Sequence, residues 1–291
     1  MKARKRRLRL FPVILAVLLL CAAAYYLLCL NRPGTMPRQC PARSEGDLRI
    51  ATLNVARLGM ISSPEAETEF LLAAVERNDV DVLVMQEFSE KYKFSFEDFK
   101  KIFGQSYPYV RFSGEQAIAS RLPFEVLKDE DFNLAHGSYT SYMLGGIGVK
   151  LVSVHLHTTG VSGAMRSGDI GVAGTAGVMS SNRKARLHQA EAVREEVLSS
   201  ACPVIVAGDF NSMPLTKVYR KIRSAGLQDT FMEKGQGNGS TFRSFKNLLR
   251  IDYILPDRLL TVRDHLVCDD YLSDHRLVIA TVRAPAAGKP F

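Results

Sequence analysis

The chain has 291 residues, of which 46% are hydrophobic and 23% charged, with 21 Gly and 12 Pro. This composition excludes a disordered chain, a collagen-like repeat and a protein with many membrane spans. The formal net charge is +8, which taken alone favours an anionic partner such as nucleic acid or an acidic membrane surface.

Most of this excess charge lies at the amino terminus. Residues 1–9 contain no acid and six cations, which are Lys2, Arg4, Lys5, Arg6, Arg7 and Arg9. Residues 31–47 add three arginines against two acids. From about residue 48 onward, 29 Lys and Arg face 28 Asp and Glu. The charge of this larger part therefore gives no support to a nucleic-acid substrate.

Residues 10–30 contain no charged side chain. As a helix they would span about 31 Å, enough to cross the core of a bilayer. A basic segment before such a span orients toward the cytoplasm. We therefore predict a basic cytoplasmic head at 1–9, a transmembrane anchor at 10–30, and an extracytoplasmic remainder, periplasmic or extracellular in a bacterium. A cleaved signal peptide is the alternative, although the apolar run is long and ends without a small-residue cleavage site.

The five cysteines are too few for a disulfide framework. Cys21 and Cys29 lie in the predicted span, and Cys40, Cys202 and Cys268 lie outside it. Three is an odd number, so at most one bridge can form among them, and spacing alone does not establish a Cys202–Cys268 pair. No Cys/His cluster has the spacing of a zinc site.

Residues 31–47 contain three prolines and read as a tether. Beyond it, apolar runs and helical periodicity alternate. Strands are predicted at 48–56, 81–86, 109–112, 116–120, 124–127, 147–157, 203–207, 251–255 and 277–282, and helices at 66–78, 182–199 and 214–224. Many strands with a few helices indicate an α+β fold or a layered sandwich.

A glycine-rich stretch at 158–181 interrupts this alternation with six glycines and little periodicity. Long loops in compact domains are commonly functional or mobile. A lid over a site and a surface insertion without a role are both compatible with it.

Polar residues stand where the predicted strands end or begin. They are Asn54, Glu87, His155, Asp209, Asn211, Asp252, Asp274 and His275. Side chains at strand ends are held by a rigid sheet yet face outward, which suits a ligand site. Any one of them alone is more typical of a turn or a structural histidine. Their occurrence together, in this order, indicates a site.

In that order they resemble the endonuclease/exonuclease/phosphatase superfamily, over roughly residues 48 to 282. The most specific motifs are Gly208-Asp209-Phe210-Asn211, Arg250-Ile251-Asp252-Tyr253 and Ser273-Asp274-His275. The resemblance implies a four-layer α/β sandwich, in which two packed mixed β-sheets are flanked by helices, with the catalytic domain at 48–291. It also implies hydrolysis of phosphoesters with a divalent metal.

The resemblance also implies roles for the motif residues. Asn54, Glu87 and Asp274 would serve the metal, which we expect to be Mg²⁺, with Mn²⁺ as a substitute, because hard oxygen ligands suit it. Asp209 would orient or deprotonate the attacking water, and Asn211 would steady Asp209 and bind a phosphoryl oxygen.

Two histidines complete the predicted catalytic set. His275 would act as a base or an electrostatic clamp, with Asp252 orienting its ring. His155 would bind the phosphoryl group or protonate the leaving oxygen. Two residues of the helix that follows, Arg186 and Gln189, are predicted to lie on its surface.

His155 stands where abasic-site repair nucleases usually have Tyr, which favours the deoxyribonuclease, sphingomyelinase and phosphatase branches. We predict a Mg²⁺-dependent phosphodiesterase or phosphatase without an obligate protein partner. Its substrate would be a lipid headgroup, a small phosphorylated metabolite or a nucleic acid. An extracytoplasmic nuclease is one alternative, and a catalytically silent binding module of the same fold is another.

Overall fold

The computed structural model describes residues 2–59, 61–89, 94–132, 137–158, 172–243 and 247–284, with side chains from residue 13 onward except at 172–181. The helices are α1 (Lys2–Tyr25), α2 (Pro64–Arg77), α3 (Phe96–Phe103), α4 (Val172–Leu198), α5 (Lys217–Arg223) and α6 (Thr230–Lys234), and a π-helical turn (Tyr26–Leu30) follows α1. The strands are β1 (Asn31–Arg32), β2 (Asp47–Asn54), β3 (Val82–Gln86), β4 (Tyr109–Ser113), β5 (Gln116–Ser120), β6 (Phe124–Asp131), β7 (Ser138–Leu144), β8 (Val149–His155), β9 (Val204–Asp209), β10 (Gly237–Asn238), β11 (Asp252–Pro256), β12 (Thr261–Val267) and β13 (Val278–Arg283).

Two mixed sheets make up the centre of the domain. One has the strand order β12-β13-β2-β3-β5-β4 and the other β11-β9-β8-β7-β6. β2 pairs with β3 in parallel, and β8 pairs with β9 in parallel. The remaining pairings within the two sheets are antiparallel. The α+β sandwich expected from the sequence is therefore confirmed.

Apolar side chains fill three successive layers. Between the sheets, Ile50 and Val84 belong to one cluster with Leu151 and Ile205. A second cluster joins the six-stranded sheet to α2 and α3, and a third joins the five-stranded sheet to α4 and α5. Because each central strand is covered on both faces, its sequence is a continuous apolar run and does not alternate between apolar and polar residues.

The helices differ from the predicted ones mainly at three places, one of which is α6, a helix of five residues that was not predicted. Helix α3 was not predicted; it is only eight residues long, and it is held by a capping box of Ser95 and Asp98 and by Phe99 and Phe103 in the core. Helix α4 begins at Val172, so the last part of the glycine-rich stretch is helical. The rest of that stretch, for which a lid and a surface insertion were both open, falls mainly on residues 159–171, which lie outside the described part of the chain.

The amino-terminal helix has the length and composition of a membrane span. The stretch Val13–Leu30 is apolar, and 11% of it is buried inside the structure. Residues 31–47, which read as a tether, lie against the domain. β1 pairs with β10, the Cys40 N–H donates to Asn78, and Arg43 forms ion pairs with Asp79 and Asp81. All five cysteines are free thiols, so Cys202 and Cys268 are not bonded to each other.

Candidate active site

Strand register brings three predicted site residues side by side. In the five-stranded sheet, Asp209 on β9 is the partner of His155 on β8 and of Asp252 on β11. In the other sheet, β2 ends at Asn54 opposite Gln86, and Glu87 follows directly. The two sheets meet at this edge, where Asn54 Nδ2 of one sheet donates to Asp209 Oδ2 of the other at 3.1 Å.

Asn54 holds two carboxylates in place. Its Nδ2 also donates to Glu87 Oε1 at 3.0 Å, and its Oδ1 accepts from the Ala56 N–H at 3.0 Å. Glu87 has a left-handed backbone, with φ of 54°, a conformation that is uncommon for a non-glycine residue and often marks a functional position. The Glu87 side chain is one-third exposed. It therefore offers a carboxylate oxygen at the mouth of an otherwise buried site.

Asp209 is fixed by the turn that follows it. The Asn211 backbone N–H donates to Asp209 Oδ1 at 2.7 Å, and its Nδ2 reaches Asp209 Oδ2 at 3.2 Å and Leu156 O at 2.9 Å. The preceding Gly208 has φ of 146°, and a Cβ there would lie 1.9 Å from Val154 O. Only glycine lets β9 approach β8 this closely. The Gly-Asp-Phe-Asn motif thus fixes the position of the Asp209 carboxylate through its own backbone and side chains.

His275 is oriented by a buried carboxylate. Its Nδ1 lies 3.1 and 3.0 Å from the two oxygens of Asp252, and its Nε2 lies 3.9 Å from Asp209 Oδ2. Burial lowers the pKa of His275, but the carboxylates of Asp252, Asp209 and Asp274 outweigh it and raise that pKa. Both ring nitrogens are consequently protonated. Nδ1 donates to Asp252, and the N–H at Nε2 faces Asp209.

The pKa of Asp209 is shifted by its surroundings as well. Burial and the neighbouring Asp252 carboxylate raise it, although His275 and His155 act in the opposite direction. A carboxylate whose ionised form is disfavoured in this way is a better proton acceptor than a solvated aspartate.

His155 contributes an unsatisfied polar atom. Its Nε2 is buried without a hydrogen-bond partner in the described part of the chain, and it lies 3.8 Å from Glu87 Oε1. A buried polar atom without a partner is costly, and in a site it marks a place for a ligand or an ordered water. His155 is therefore suited to contact an oxygen of a bound substrate.

The oxygen atoms around Asn54 fit a hard divalent cation. Glu87 and Asp209 present carboxylates on either side of the Asn54 amide, and such a set suits Mg²⁺. Asp209, Asp252 and His275 also present atoms within 4.8 Å of one another, but Asp252 already engages His275 Nδ1. Asp274, predicted as a third metal residue, has its Oδ1 engaged by the Ser273 hydroxyl at 3.2 Å.

The residues predicted to lie on the helix surface are buried beside the site. Gln189 Oε1 accepts from the His157 N–H at 2.8 Å, and Arg186 Nη1 donates to His157 O at 3.1 Å. Together they hold the chain just after His155. Their spacing of three residues places both on one face of α4, which is the signal that could have identified them.

A buried ion pair supports the strand that carries Asp252. Arg250 Nη1 lies 2.8 and 3.0 Å from the two oxygens of Asp229, and its guanidinium stacks between the rings of Phe231 and Tyr253. The Thr241 hydroxyl accepts from the N–H groups of Ile251 and Asp252 at 3.0 and 3.1 Å. Asp229 and Thr241 thus support the strand that carries Asp252.

Known proteins resemble this chain in sequence and in fold. A profile described as the Endonuclease/Exonuclease/phosphatase family matches residues 51–275. No curated protein sequence matches the chain.

Solved structures share its fold at low identity. An endonuclease/exonuclease/phosphatase family protein from Bacteroides thetaiotaomicron is 18% identical with a TM-score of 0.60, over 82% of this chain and 98% of that one. A mannosyl-6-phosphatase from the same bacterium is 18% identical with a TM-score of 0.56, over 81% and 99%. Truncated TDP2 from Caenorhabditis elegans is 21% identical with a TM-score of 0.57, over 82% and 98%.

Proposed function

Because the chain belongs to the endonuclease/exonuclease/phosphatase family, we propose that it is a membrane-anchored, Mg²⁺-dependent hydrolase of phosphoester bonds. The observation that carries this proposal is the bridge from Asn54 to Glu87 and Asp209, next to the His275–Asp252 pair. It combines oxygen ligands for a cation, a proton acceptor and a positively charged donor within one buried site. One of the similar solved structures is named as a mannosyl-6-phosphatase, and a phosphatase hydrolyses a phosphoester, which supports this proposal.

Hydrolysis of a phosphoester needs an activated water, neutralisation of the phosphoryl oxygens and a stabilised leaving group. A Mg²⁺ ion held by Glu87 and Asn54 would supply charge neutralisation. Asp209 accepts the proton of the attacking water, whose oxygen bonds to phosphorus as the bond to the leaving oxygen breaks. His275 stabilises the negative charge of the phosphoryl group, with Asp252 fixing its ring.

The remaining polar groups bind the substrate. His155 Nε2, which has no partner in the described residues, donates to the leaving oxygen. Asn211 keeps Asp209 in position and presents its amide beside the phosphoryl group. Gln189 and Arg186 hold the backbone that follows His155 and so act as positioning residues.

The anchor is the other part of the proposal. The six cations before the apolar stretch favour a cytoplasmic amino terminus, and we propose that the catalytic domain lies on the opposite side of the membrane. A carboxyl-terminal alkaline phosphatase fusion tests this topology, because that reporter is active only after translocation. An active cytosolic reporter at the same end would contradict it.

The activity is tested with the full chain in detergent and two chromogenic substrates, bis-p-nitrophenyl phosphate and p-nitrophenyl phosphate. We expect Mg²⁺-dependent release of p-nitrophenol that is abolished by chelation and in an Asp209→Ala variant. Turnover of the first or the second compound distinguishes a phosphodiesterase from a phosphatase. No release with Mg²⁺ or Mn²⁺, together with unchanged ligand binding by Asp209→Ala, would identify a binding module instead.

A further inference from the structure

The end of the apolar helix is fastened to the catalytic domain. Arg250 Nε donates to Cys29 O at 3.1 Å, and the Gly239 N–H donates to Leu30 O at 2.7 Å. A cation that binds the last carbonyl groups of a helix also stabilises its carboxyl end. Leu30 is fully buried, and β1, which follows at once, pairs with β10. No flexible linker therefore separates the helix from the domain.

The segments that fasten the helix also carry the site. Arg250 is two residues from Asp252, a distance of at most about 7 Å along an extended chain. Gly239 is two residues from Thr241, whose hydroxyl accepts from the Asp252 N–H. The next residue, Phe242, packs its ring 4.8 Å from the ring of His275. The helix end and the catalytic pair are thus attached to the same two loops.

The exposed apolar surface of the helix reaches up to these loops. Leu27 and Leu28 are 63% and 61% exposed, directly before the buried Cys29 and Leu30. Leu248, on the loop before Arg250, is 46% exposed, and its carbonyl accepts from the Tyr25 hydroxyl at 3.2 Å. Exposed apolar side chains at this point are stabilised if they meet lipid rather than water. With the apolar helix in a bilayer, the edge of the hydrocarbon layer would consequently lie close to Leu248.

We infer that the site acts on phosphoesters that are themselves held in the membrane, namely amphiphiles with a phosphorylated headgroup in the leaflet that meets the domain. This rests on the proposed function and names its substrate class. An enzyme for a soluble metabolite would not need its site held at a fixed height above the bilayer. A flexible tether between helix and domain would serve such an enzyme equally well. A rigid attachment two residues from Asp252 keeps the site beside the headgroups, where confinement raises the local substrate concentration.

The experiment changes the attachment and leaves the site intact. A 12-residue Gly/Ser segment inserted between Leu28 and Cys29 keeps Cys29 and Leu30 on the domain and frees it from the helix, with an end-to-end distance of about 19 Å. The matched control carries the same insertion between Gly146 and Ile147. That turn joins β7 to β8, at the opposite end of β8 from His155.

The wild type and both variants are reconstituted as full chains in vesicles of phosphatidylcholine, phosphatidylglycerol and sphingomyelin. Release of the water-soluble headgroup product and hydrolysis of soluble bis-p-nitrophenyl phosphate are measured on the same vesicles. We expect the insertion after Leu28 to lower headgroup release at least about fivefold and to leave soluble turnover within about twofold, because only the local concentration changes. The control insertion leaves both rates unchanged.

Two results overturn the inference. One is equal headgroup release by the wild type and the Leu28 insertion. The other is a wild type that hydrolyses the soluble diester but releases no headgroup. If the wild type hydrolyses neither substrate, the proposed function itself fails, so the two failures are distinguishable.

Discussion

Nδ1 of His275 and Oδ2 of Asp252 lie 3.0 Å apart in the interior of the domain. This contact fixes the ring so that its other nitrogen faces Asp209. Burial alone would lower the pKa of His275, yet the surrounding carboxylates raise it. The ring therefore acts as a cation at neutral pH, which suits stabilisation of negative charge better than proton abstraction.

Replacement of His275 by Ala is expected to lower kcat about 100-fold or more, because the positive charge at the phosphoryl group is lost. The measurement is Mg²⁺-dependent hydrolysis of bis-p-nitrophenyl phosphate by the full chain in detergent. His188→Ala is the control, since His188 is an exposed histidine on α4. A His275→Ala rate close to that of the wild type would show that the ring takes no part in catalysis.

Glu87→Gln tests the proposed metal position. The amide keeps the shape of the side chain and removes its charge, so we expect weaker metal affinity and a loss of activity that added Mg²⁺ partly restores. Metal that binds only the folded chain also raises Tm, and this rise should shrink in the variant. Glu65→Gln, an exposed glutamate in the first turn of α2, is the control.

The metal assignment fails if Glu87→Gln and the wild type require the same Mg²⁺ concentration for half-maximal activity. Chelation supplies the complementary test. Removal of divalent metal from the wild type should abolish turnover, and Mg²⁺ or Mn²⁺ should restore it. Activity that survives chelation would place the chemistry on the side chains alone.

The sequence was informative where the chemistry is local. A carboxylate or amide at the end of an apolar run predicts a side chain at the edge of a sheet, and the register of β8, β9 and β11 places His155, Asp209 and Asp252 together. The layered α+β architecture followed from the number of apolar runs and from the family resemblance. Which residue pairs face each other across the two sheets, such as Asn54 and Asp209, depends on tertiary packing that periodicity does not encode.

Two sets of contacts near the site escaped prediction for physical reasons. Arg186 and Gln189 are polar residues in a helix, and polar residues in helices usually face solvent. Their burial is set by the backbone of His157, whose N–H and carbonyl need partners inside the domain. Arg250 was recognised only as part of a motif, and its bond to Cys29 O depends on a residue 221 positions away in the chain.

Gln189→Ala is expected to lower kcat about 10-fold with little change in KM, because the backbone after His155 loses the acceptor that positions it. Gln189→Glu keeps an acceptor oxygen for the His157 N–H and should retain more of the rate than the alanine variant. Arg183→Ala, an exposed change on the same helix, is the control. Equal kcat for Gln189→Ala and Arg183→Ala would contradict the positioning role.

His265 predicts a specific dependence of stability on pH. Burial lowers the pKa of its imidazole to about 3, whereas the unfolded chain has an ordinary value of about 6.5. Above pH 6.5 the group is neutral in both states and contributes nothing. As the pH falls below that value, only the unfolded state takes up a proton. The free energy of unfolding should therefore decrease by about 1.4 kcal/mol per pH unit until the folded pKa is reached.

The measurement is urea unfolding of the full chain in detergent at pH 7.5, 6 and 5, for the wild type and for His265→Gln. Other ionisable groups are common to both chains, so the difference between the two pH profiles isolates this imidazole. The variant is expected to be less stable at pH 7.5, because the fit beside Thr230 and Phe231 is disturbed, but it should lose less stability on acidification. Parallel profiles would show that His265 can be protonated in the folded domain, and the attribution of its low pKa to burial would then be wrong.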